Sequence, residues 1–263
     1  MTCTVVVCTR NRPEALDRCL AALARQTHPD FDVLVVDNAP ADDRAVAAAR
    51  RQGARYLVEP AAGLSRARNT GARACASDVV AFIDDDAVPD PSWLAHLAAG
   101  FGDPAVAVVT GRTLPLDHAG ATAAADEGDL GPRRLRLDRT HPRWFEMASF
   151  GGIGVGNNMA FRRLVFADWR GFDERLGRGA MLPGGEEHRA FVDLVEGGHT
   201  ILYVPDAIVR HTPGRQGRVR ARAELLAYAL FLFLTTRHRW RVAKYVAEGI
   251  FGKRRAWRTG AGR

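Results

Sequence analysis

Three consecutive carboxylates follow an apolar run in VVAFIDDDAVPDPSWL, residues 79–94. Asp84, Asp85 and Asp86 repel one another when charged, and each resists ionisation beside the others. A hard cation such as Mn²⁺ or Mg²⁺ relieves this repulsion, because both ions bind carboxylate oxygens. The D-x-D spacing can place Asp84 and Asp86 on one side of a turn. For the motif taken alone, a solvated turn or a cap for the following helix is the alternative.

Arginines and an asparagine cluster in GLSRARNTG, residues 63–71. A helix through this segment places Arg66, Arg68 and Asn69 within one or two turns. Arginines at a helix N-terminus suit a diphosphate, because guanidinium groups and free backbone N–H groups both bind anions. An amphipathic surface helix is the alternative, and for Arg66 alone it is the favoured one.

The elements that must position these residues alternate along the first hundred residues. Apolar runs predict strands at residues 4–9, 32–38, 54–60, 78–86 and 105–111, with helices between them. This alternation predicts an α/β fold with a parallel sheet covered on both faces. In such sheets, ligands bind at the carboxyl ends of the strands.

Further polar residues are expected at that same edge. Thr9, Arg10 and Arg12 end or follow the first predicted strand, and Asp37 ends the second. Asp37 could accept a hydrogen bond from a ribose or a base, or it could cap the next helix.

The remainder of the chain is less regular. Residues 112–150 are rich in Gly, Asp, Arg and Pro, which predicts an irregular excursion or a flexible loop. Structure is expected to resume at residues 150–163. A short helix in GGEEHRAFVDLVEGG, a strand and turn in HTILYVPDAIVRH and a helical tail from Ala223 should follow.

Seven stretches taken together resemble glycosyltransferase family 2, whose members have the GT-A fold. They are VVVCTRNRPEALDRCLAAL, LVVDNA, GLSRARNTGA, FIDDDAVPDPSWL, GNNMAFRR, GFDERLG and GGEEHRAF…VPDAIVRH, in this order between residues 4 and 211. Each is weak alone, but the ordered set demands one architecture. The resemblance implies a Rossmann-like, mixed and mostly parallel central sheet flanked by helices.

The resemblance also implies a division of the chain. A GT-A catalytic domain would span residues 1–215, with the nucleotide-sugar-binding half at 1–111 and the acceptor-side half at 150–215. A basic amphipathic helical tail would occupy residues 216–263.

A sugar transfer is the activity that the resemblance implies. The donor would be a nucleoside-diphosphate sugar of the UDP, dTDP or GDP type, the reaction would invert the anomeric configuration, and Mn²⁺ or Mg²⁺ would be required. A glycan, a lipid-linked molecule or a small molecule would be the acceptor. A non-catalytic nucleotide- or glycan-binding relative and a retaining transferase are the alternatives, because a fold alone does not fix the chemistry.

The family pattern assigns roles at the strand ends. Thr9, Arg12 and Asp37 match positions that hold the nucleoside, and Asp84 matches a contact to ribose or uracil. The whole implied donor-binding set is Thr9, Arg10, Arg12, Asp37, Arg68, Asn69, Asp84 and Asp85. The implied metal ligands are Asp86, Asp84 and His211, and His211 could instead touch the diphosphate.

GGEEHRAF matches the family's Glu-Asp pair at the start of a helix, which makes Glu187 the expected base for the acceptor hydroxyl. This chain has Glu where Asp is usual, and the extra methylene moves the carboxylate by about 1 Å, a distance that matters for catalysis. Glu186 is therefore an alternative base. Outside the motif, acids at a helix start simply complement the helix dipole.

The same pattern gives Asn157 and Asn158 in GNNMAFRR a place beside the donor sugar and the acceptor. Buried asparagines need hydrogen-bond partners, which sugar hydroxyls would supply. A hydrogen-bonded turn is the alternative.

The positive charge of the chain is concentrated in its tail. The net charge is +7, and residues 210–263 contain 14 lysines and arginines against 2 acidic residues. Leu226, Leu230, Phe233 and Leu234 can form one apolar face. The basic residues beyond it are Arg237, Arg239, Arg241, Lys244, Lys253, Arg254 and Arg255.

This pattern is typical of an interfacial helix on an anionic membrane. A helix packed on the catalytic domain and a dimer contact are equally open. No nucleic-acid-binding motif accompanies the charge, so no nucleic-acid partner is expected. Without a signal-peptide pattern or an apolar run of about 18 residues, the sequence predicts a cytoplasmic protein. If the tail binds lipid, the protein would be peripheral on the inner face of the membrane.

Overall fold

The computed structural model describes residues 1–116, 130–212 and 218–250. In these residues, nine strands form one sheet. The strands are β1 (Cys3–Thr9), β2 (Phe31–Asn38), β3 (Arg55–Glu59), β4 (Val79–Asp84), β5 (Ala87–Pro89), β6 (Val106–Pro115), β7 (Leu135–Leu137), β8 (Asn158–Arg162) and β9 (Thr200–His211). Their order across the sheet is β3-β2-β1-β4-β8-β6-β9-β5, and β7 pairs with β9 off this path.

Helices cover the sheet. Those in the described residues are α1 (Pro13–Leu23), α2 (Arg44–Arg51), α3 (Leu64–Arg73), α4 (Trp93–Ala99), α5 (Trp144–Ser149), α6 (Val165–Asp168), α7 (Glu186–Glu196), α8 (Arg218–Thr235) and α9 (Arg239–Ile250). A 3₁₀ turn, Gly100–Gly102, extends α4. Among these helices, none combines the length and the apolar character that a membrane span needs.

β1, β2 and β4 are largely buried on both faces, whereas the edge strand β3 is partly exposed. β1 pairs in parallel with β2 and β4, and β2 pairs in parallel with β3. Val6 enters one hydrophobic cluster, whereas Val5 and Val7 enter the other, because side chains alternate between the two faces of a strand. Burial on both faces requires continuous apolar runs. The predicted α/β fold class is confirmed.

The other half of the sheet is mixed. β8 lies antiparallel between β4 and β6, and β6 runs parallel to β9. β9 also pairs antiparallel with the short strand β5. The mixed, mostly parallel central sheet flanked by helices is therefore the one expected.

The prediction that residues 112–150 are irregular is wrong in three places. β6 continues through Pro115, because it pairs with β9 as far as His211. β7 and α5 also lie in this range, and α5 buries Trp144 and Phe145. The three residues of β7 and the six residues of α5 are too few to show a hydrophobic period. Residues 117–129 lie outside the described residues.

The tail begins earlier than Ala223 and forms two helices, α8 and α9. Tyr228, Phe231 and Leu232 of α8 belong to the main hydrophobic cluster of the protein. Tyr245 of α9 stacks on Phe150, with ring centroids 3.7 Å apart. The tail therefore shares its core with the sheet, and the division at residues 215 and 216 stays a prediction. The predicted basic residues Lys253, Arg254 and Arg255 lie outside the described residues.

Candidate active site

The ends of the parallel strands bring several predicted residues to one edge of the sheet. Thr9 of β1 lies opposite Asp37 of β2, and Cys8 lies opposite Asp84 of β4. Arg12 directly precedes α1. A cleft at this edge is lined by Cys8, Thr9, Arg12, Asn38, Leu64, Asp84 and Arg178.

Asp85 is fully buried, unlike its two neighbours. Its Oδ2 accepts hydrogen bonds from Thr9 Oγ1 at 2.7 Å and from Arg12 Nε at 3.1 Å, and Arg12 Nη2 pairs with Oδ1. Burial raises the pKa of Asp85 to about 7, although Arg12 and Thr9 oppose the shift. Asp85 therefore acts on the cleft through Thr9 and Arg12, which it holds in place.

Asp84, Asp86 and His211 each offer a ligand atom within 4.8 Å of the other two. His211 Nε2 lies 3.1 Å from Asp86 Oδ1 and 4.0 Å from Asp84 Oδ2. Strand β5 explains the proximity, because its residue Ala87 pairs with His211 and so places Asp86 beside the imidazole. The D-x-D side chains and the distant histidine do meet at one point.

The chemistry of these three donors fits a divalent cation. Carboxylate oxygens suit both Mn²⁺ and Mg²⁺, whereas an imidazole favours Mn²⁺, because Mg²⁺ binds mainly oxygen. Burial opposes the ionisation of Asp86, but His211 and Arg12 outweigh it and hold the pKa of Asp86 well below its usual range. Arg12 Nη1 donates to Asp86 Oδ2 at 2.6 Å, so Oδ1 is the oxygen that faces His211.

Arg68 joins the metal-ligand group to the predicted bases. It is buried, and its Nη2 lies 3.5 Å from Asp84 Oδ1. Nη1 donates to Glu186 Oε1 at 2.9 Å, and Nη2 donates to the carbonyl oxygen of Gly156 at 3.0 Å. Protein oxygens therefore engage both terminal nitrogens of the arginine that was predicted to bind the donor.

The two candidate bases differ in their surroundings. Burial and the charge of Glu187 raise the pKa of Glu186 to about 7, although Arg68 opposes the shift. Burial alone would also raise the pKa of Glu187. The charges of His188 and Arg68, together with the N–H groups of Glu187 and Gly156, outweigh it and lower that pKa. Glu187 is therefore the stronger acid of the two.

The turn before α7 requires a glycine. Gly185 has a φ of 88°, in the left-handed region. A Cβ at this position would lie 2.4 Å from Cδ2 of Tyr228 on α8. The tail therefore packs directly on the backbone that presents Glu186 and Glu187. The sequence analysis missed Tyr228, whose signal is an aromatic hydroxyl within an apolar helix.

Gly185→Ala is expected to destabilise the protein by about 1–3 kcal/mol. The added methyl group would be strained at a positive φ and would overlap the ring of Tyr228. Urea unfolding followed by circular dichroism measures the loss. Gly184→Ala is the matched control, because nothing lies within 4 Å of a Cβ at Gly184. Equal unfolding midpoints for the two variants would contradict this packing.

Two of the predicted asparagines, Asn69 and Asn158, form hydrogen bonds within the protein. Asn69 Nδ2 donates to the carbonyl oxygen of Phe172 at 2.9 Å, and its Oδ1 accepts from the Phe172 N–H at 2.8 Å. Asn158 is fully buried and accepts from Trp93 Nε1 at 2.8 Å. Its Nδ2 donates to backbone carbonyl oxygens at 3.0 and 2.9 Å. Asn158 therefore uses both ends of its amide within the protein, and its place beside the donor sugar stays a prediction.

The side chains of Asn157 and Asp37 each accept one hydrogen bond from a neighbouring side chain in the described residues. Asn157 is half-buried, and its Oδ1 accepts from Thr113 Oγ1 at 2.8 Å. Asp37 Oδ2 accepts from the Tyr56 hydroxyl at 2.8 Å, whereas Oδ1 is a buried oxygen without a hydrogen-bond partner in the described residues. Burial raises the pKa of Asp37, and the Tyr56 hydrogen bond opposes the shift.

Some residues of the cleft were not predicted. Arg178 lines it from a loop with the sequence LGRGA, and Leu64 lines it from the start of α3. A charged residue between two glycines is the signal that could have identified Arg178. Arg10, which was predicted, is exposed at the mouth of the same region, and its Nη1 would lie 3.2 Å from a Cβ at Gly179.

A mixed sheet with carboxylates at its strand ends is the arrangement expected of the GT-A class of fold. Residues 4–169 match the sequence profile described as glycosyl transferase family 2. This chain therefore belongs to glycosyltransferase family 2. The matched range ends before Glu186, Glu187 and His211.

Curated relatives resemble the chain over most of its length. The pre-mycofactocin glycosyltransferase of Mycobacterium tuberculosis is 31% identical over 219 residues, which cover 79% of this chain and 42% of that protein. The succinoglycan biosynthesis protein ExoM of Rhizobium meliloti is 30% identical over 273 residues, covering 95% of this chain and 77% of that protein. The chain thus spans less than half the length of the first of these relatives.

Solved structures share the fold. The mannosyltransferase PcManGT from Pyrobaculum calidifontis, in complex with GDP-Man and Mn²⁺, has a TM-score of 0.64 at 19% identity and covers 89% of this chain and 65% of that chain. TarS 1–349 from S. aureus, in complex with UDP-GlcNAc, has a TM-score of 0.64 at 18% identity, covering 89% and 66%. The expected GT-A fold is confirmed.

Proposed function

We propose that this protein is a metal-dependent inverting glycosyltransferase, which moves a sugar from a nucleoside-diphosphate sugar to an acceptor hydroxyl. One observation carries the proposal. Arg68 joins Asp84 of the metal-ligand group to Glu186, which precedes the proposed base Glu187 at the start of α7. A cation site and a general base are thereby held on two sides of one buried guanidinium, which supports a transfer between two oriented substrates.

In the proposed reaction, Glu187 accepts the proton of the acceptor hydroxyl while the hydroxyl oxygen attacks the anomeric carbon. The new C–O bond forms on the face opposite the phosphate, and the bond from the anomeric carbon to the phosphate oxygen breaks. The nucleoside diphosphate leaves with that electron pair, so the configuration inverts. Glu187 suits the role of base better than Glu186, because its side chain is 14% exposed, whereas Glu186 Oε1 accepts a hydrogen bond from the buried Arg68.

Asp84, Asp86 and His211 would hold Mn²⁺ or Mg²⁺, and the imidazole favours Mn²⁺. When bound, such a cation neutralises charge on the departing diphosphate as a Lewis acid. Asp37 would receive the nucleoside, because its buried Oδ1 is an acceptor without a hydrogen-bond partner in the described residues. The similar structures named above hold GDP-Man with Mn²⁺ or UDP-GlcNAc, which makes GDP- and UDP-sugars the first donors to test.

A donor screen tests this function. Isothermal titration of UDP, dTDP and GDP, each with Mn²⁺ and with EDTA, should find one nucleotide whose binding depends on the metal. The matching nucleotide sugars are then assayed for release of the nucleoside diphosphate. The absence of any metal-dependent nucleotide binding would contradict the proposal. An NMR measurement of the product anomer separates inversion from retention, and binding without turnover would favour a non-catalytic relative.

We further propose that the tail lies on an anionic membrane surface. α8 and α9 together expose five large apolar side chains: Leu226, Leu230, Phe233, Leu234 and Trp240. Arg237, Arg239 and Lys244 are exposed in the same helices and the turn between them. Apolar side chains bordered by cations complement acyl chains bordered by anionic headgroups.

The double substitution Leu230→Ser and Leu234→Ser is expected to weaken vesicle binding by about tenfold or more, because it removes two apolar insertions. Flotation with phosphatidylglycerol vesicles measures the effect, and phosphatidylcholine vesicles test the need for negative charge. Leu164→Ser is the matched control, because Leu164 is 67% exposed outside the tail. Equal flotation of the double variant and the control variant would contradict the membrane surface.

A further inference from the structure

Two of the three arginines expected to meet the donor are already engaged by carboxylates. Arg12 pairs with Asp85 and Asp86, and Arg68 pairs with Glu186 and lies 3.5 Å from Asp84. Their positive charges are therefore largely neutralised within the protein. A diphosphate entering the site would need other cations.

The negative charge of the site makes this need larger. In the described residues, the arginines paired with the three aspartates at the end of β4 and with Glu186 of α7 are Arg12 and Arg68. A divalent cation at Asp84, Asp86 and His211 would offset part of the acidic charge, but an incoming diphosphate adds more negative charge at short range, which is costly.

Arg178 occupies the required place. It lines the cleft together with Thr9, Arg12 and Asp84. Among the residues that the structure describes, no carboxylate is paired with Arg178, and its side chain is exposed. An unpaired guanidinium at the wall of a cleft is suited to a phosphate, which it can bind through two parallel hydrogen bonds.

The backbone that carries Arg178 is fixed in position. Gly177 and Gly179 have φ values of 99° and 84°, which favour glycine. The carbonyl oxygen of Arg178 accepts a hydrogen bond from the Leu64 N–H at 2.9 Å, at the start of α3. The loop is thereby pinned to the donor side of the sheet, and only the side chain of Arg178 must adjust to a ligand.

Arg10 provides a second cation beside this loop. A Cβ at Gly179 would lie 3.2 Å from Arg10 Nη1 and 3.3 Å from the Gly63 nitrogen. Arg10 likewise has no carboxylate partner within the described ranges. An arginine without an acidic partner in the described residues therefore lies beside the loop that carries Arg178, and an anion there could meet both cations.

We propose that Arg178, assisted by Arg10, binds the diphosphate of the donor in the cleft that it lines together with Asp84. The inference rests on the proposed function and names the residue that compensates for the engaged arginines. The nucleoside diphosphate is the ligand, and its phosphate oxygens are the recognised groups.

Isothermal titration of UDP and GDP in the presence of Mn²⁺ tests the assignment. Arg178→Ala should weaken binding of the nucleotide that the protein prefers by about 10- to 100-fold, the range of a lost charge-assisted hydrogen bond. Arg178→Lys should keep part of the affinity, because it retains the charge but loses the fork geometry. Affinity for the matching nucleoside, uridine or guanosine, should not change.

Arg66→Ala is the matched control, because Arg66 lies on the same side of the sheet but is paired with Glu174 at 2.8 Å. Nucleotide affinities of Arg178→Ala and Arg66→Ala that both equal the wild-type value would overturn the assignment of Arg178 and leave the proposed function standing. A wild-type protein that binds none of UDP, dTDP and GDP with Mn²⁺ would overturn the proposed function, and this inference with it.

Discussion

Glu187→Gln is expected to lower kcat by about 10²- to 10⁴-fold, the usual contribution of a general base. Glutamine has nearly the same shape as glutamate but cannot accept the acceptor's proton at neutral pH. Nucleotide affinity should be retained, because the metal-ligand group lies on the other side of Arg68. The measurement pairs single-turnover kinetics on the active donor with isothermal titration of its nucleoside diphosphate.

Glu186→Gln is the informative comparison for that experiment. Glu186 pairs with Arg68 at 2.9 Å and is buried, so its replacement should mainly lower the free energy of unfolding. Thermal unfolding of both variants separates the two roles. If Glu186→Gln keeps its stability and loses more turnover than Glu187→Gln, the assignment of the base is reversed.

Asp86→Asn is expected to lower turnover by at least about 100-fold and to remove the dependence of nucleotide binding on Mn²⁺, because a metal ion supplies several kcal/mol of charge stabilisation. An amide keeps the size of the side chain and its acceptor oxygen for Arg12, but it loses the charge that attracts a cation. Titration of Mn²⁺ against bound nucleotide measures the change.

Asp17→Asn controls for the general loss of one negative charge. Asp17 is exposed and pairs with Arg51 at 3.0 Å, outside the cleft. Its replacement should leave the Mn²⁺ midpoint unchanged. An unaltered Mn²⁺ midpoint in Asp86→Asn would remove Asp86 from the metal ligands and would shift the search to other carboxylates of the site.

Much of the sheet could be predicted because its strands are buried on both faces. Strand β4, for example, has apolar residues at every position from Val79 to Ile83, and no solvent-facing side chain interrupts the run. Strand β5 could not be found in this way. It has three residues, and only its pairing with β9 makes it a strand.

The roles of the three aspartates, like strand β5, could not be predicted from the local sequence. In the sequence the three residues are equivalent acids, whereas in the structure Asp85 is buried against Thr9 and Arg12. Asp84 ends β4 and Asp86 lies in the turn before β5, whose pairing with β9 brings Asp86 to His211. The partner of each acid is decided by strand pairing and by α1, and a local motif does not contain that information.

Asn69 and Asn158 illustrate why a buried polar residue does not reveal its partner in the sequence. Both stand in motifs that match a sugar-binding family, and both spend their amide groups on the protein backbone. A buried amide needs partners whether they come from a ligand or from a neighbouring strand. Sequence reveals the need for a partner but not its source.

The tail helix α8 is part of the hydrophobic core of the protein. Tyr228, Phe231 and Leu232 fill the main core, and Tyr228 rests on Gly185 directly before the proposed bases. Removal of the chain after residue 212 would expose the apolar contacts beneath the start of α7, so a truncated protein would lose stability as well as any lipid contact. Proteolysis of this segment is therefore expected to inactivate the protein and not only to release it from a surface.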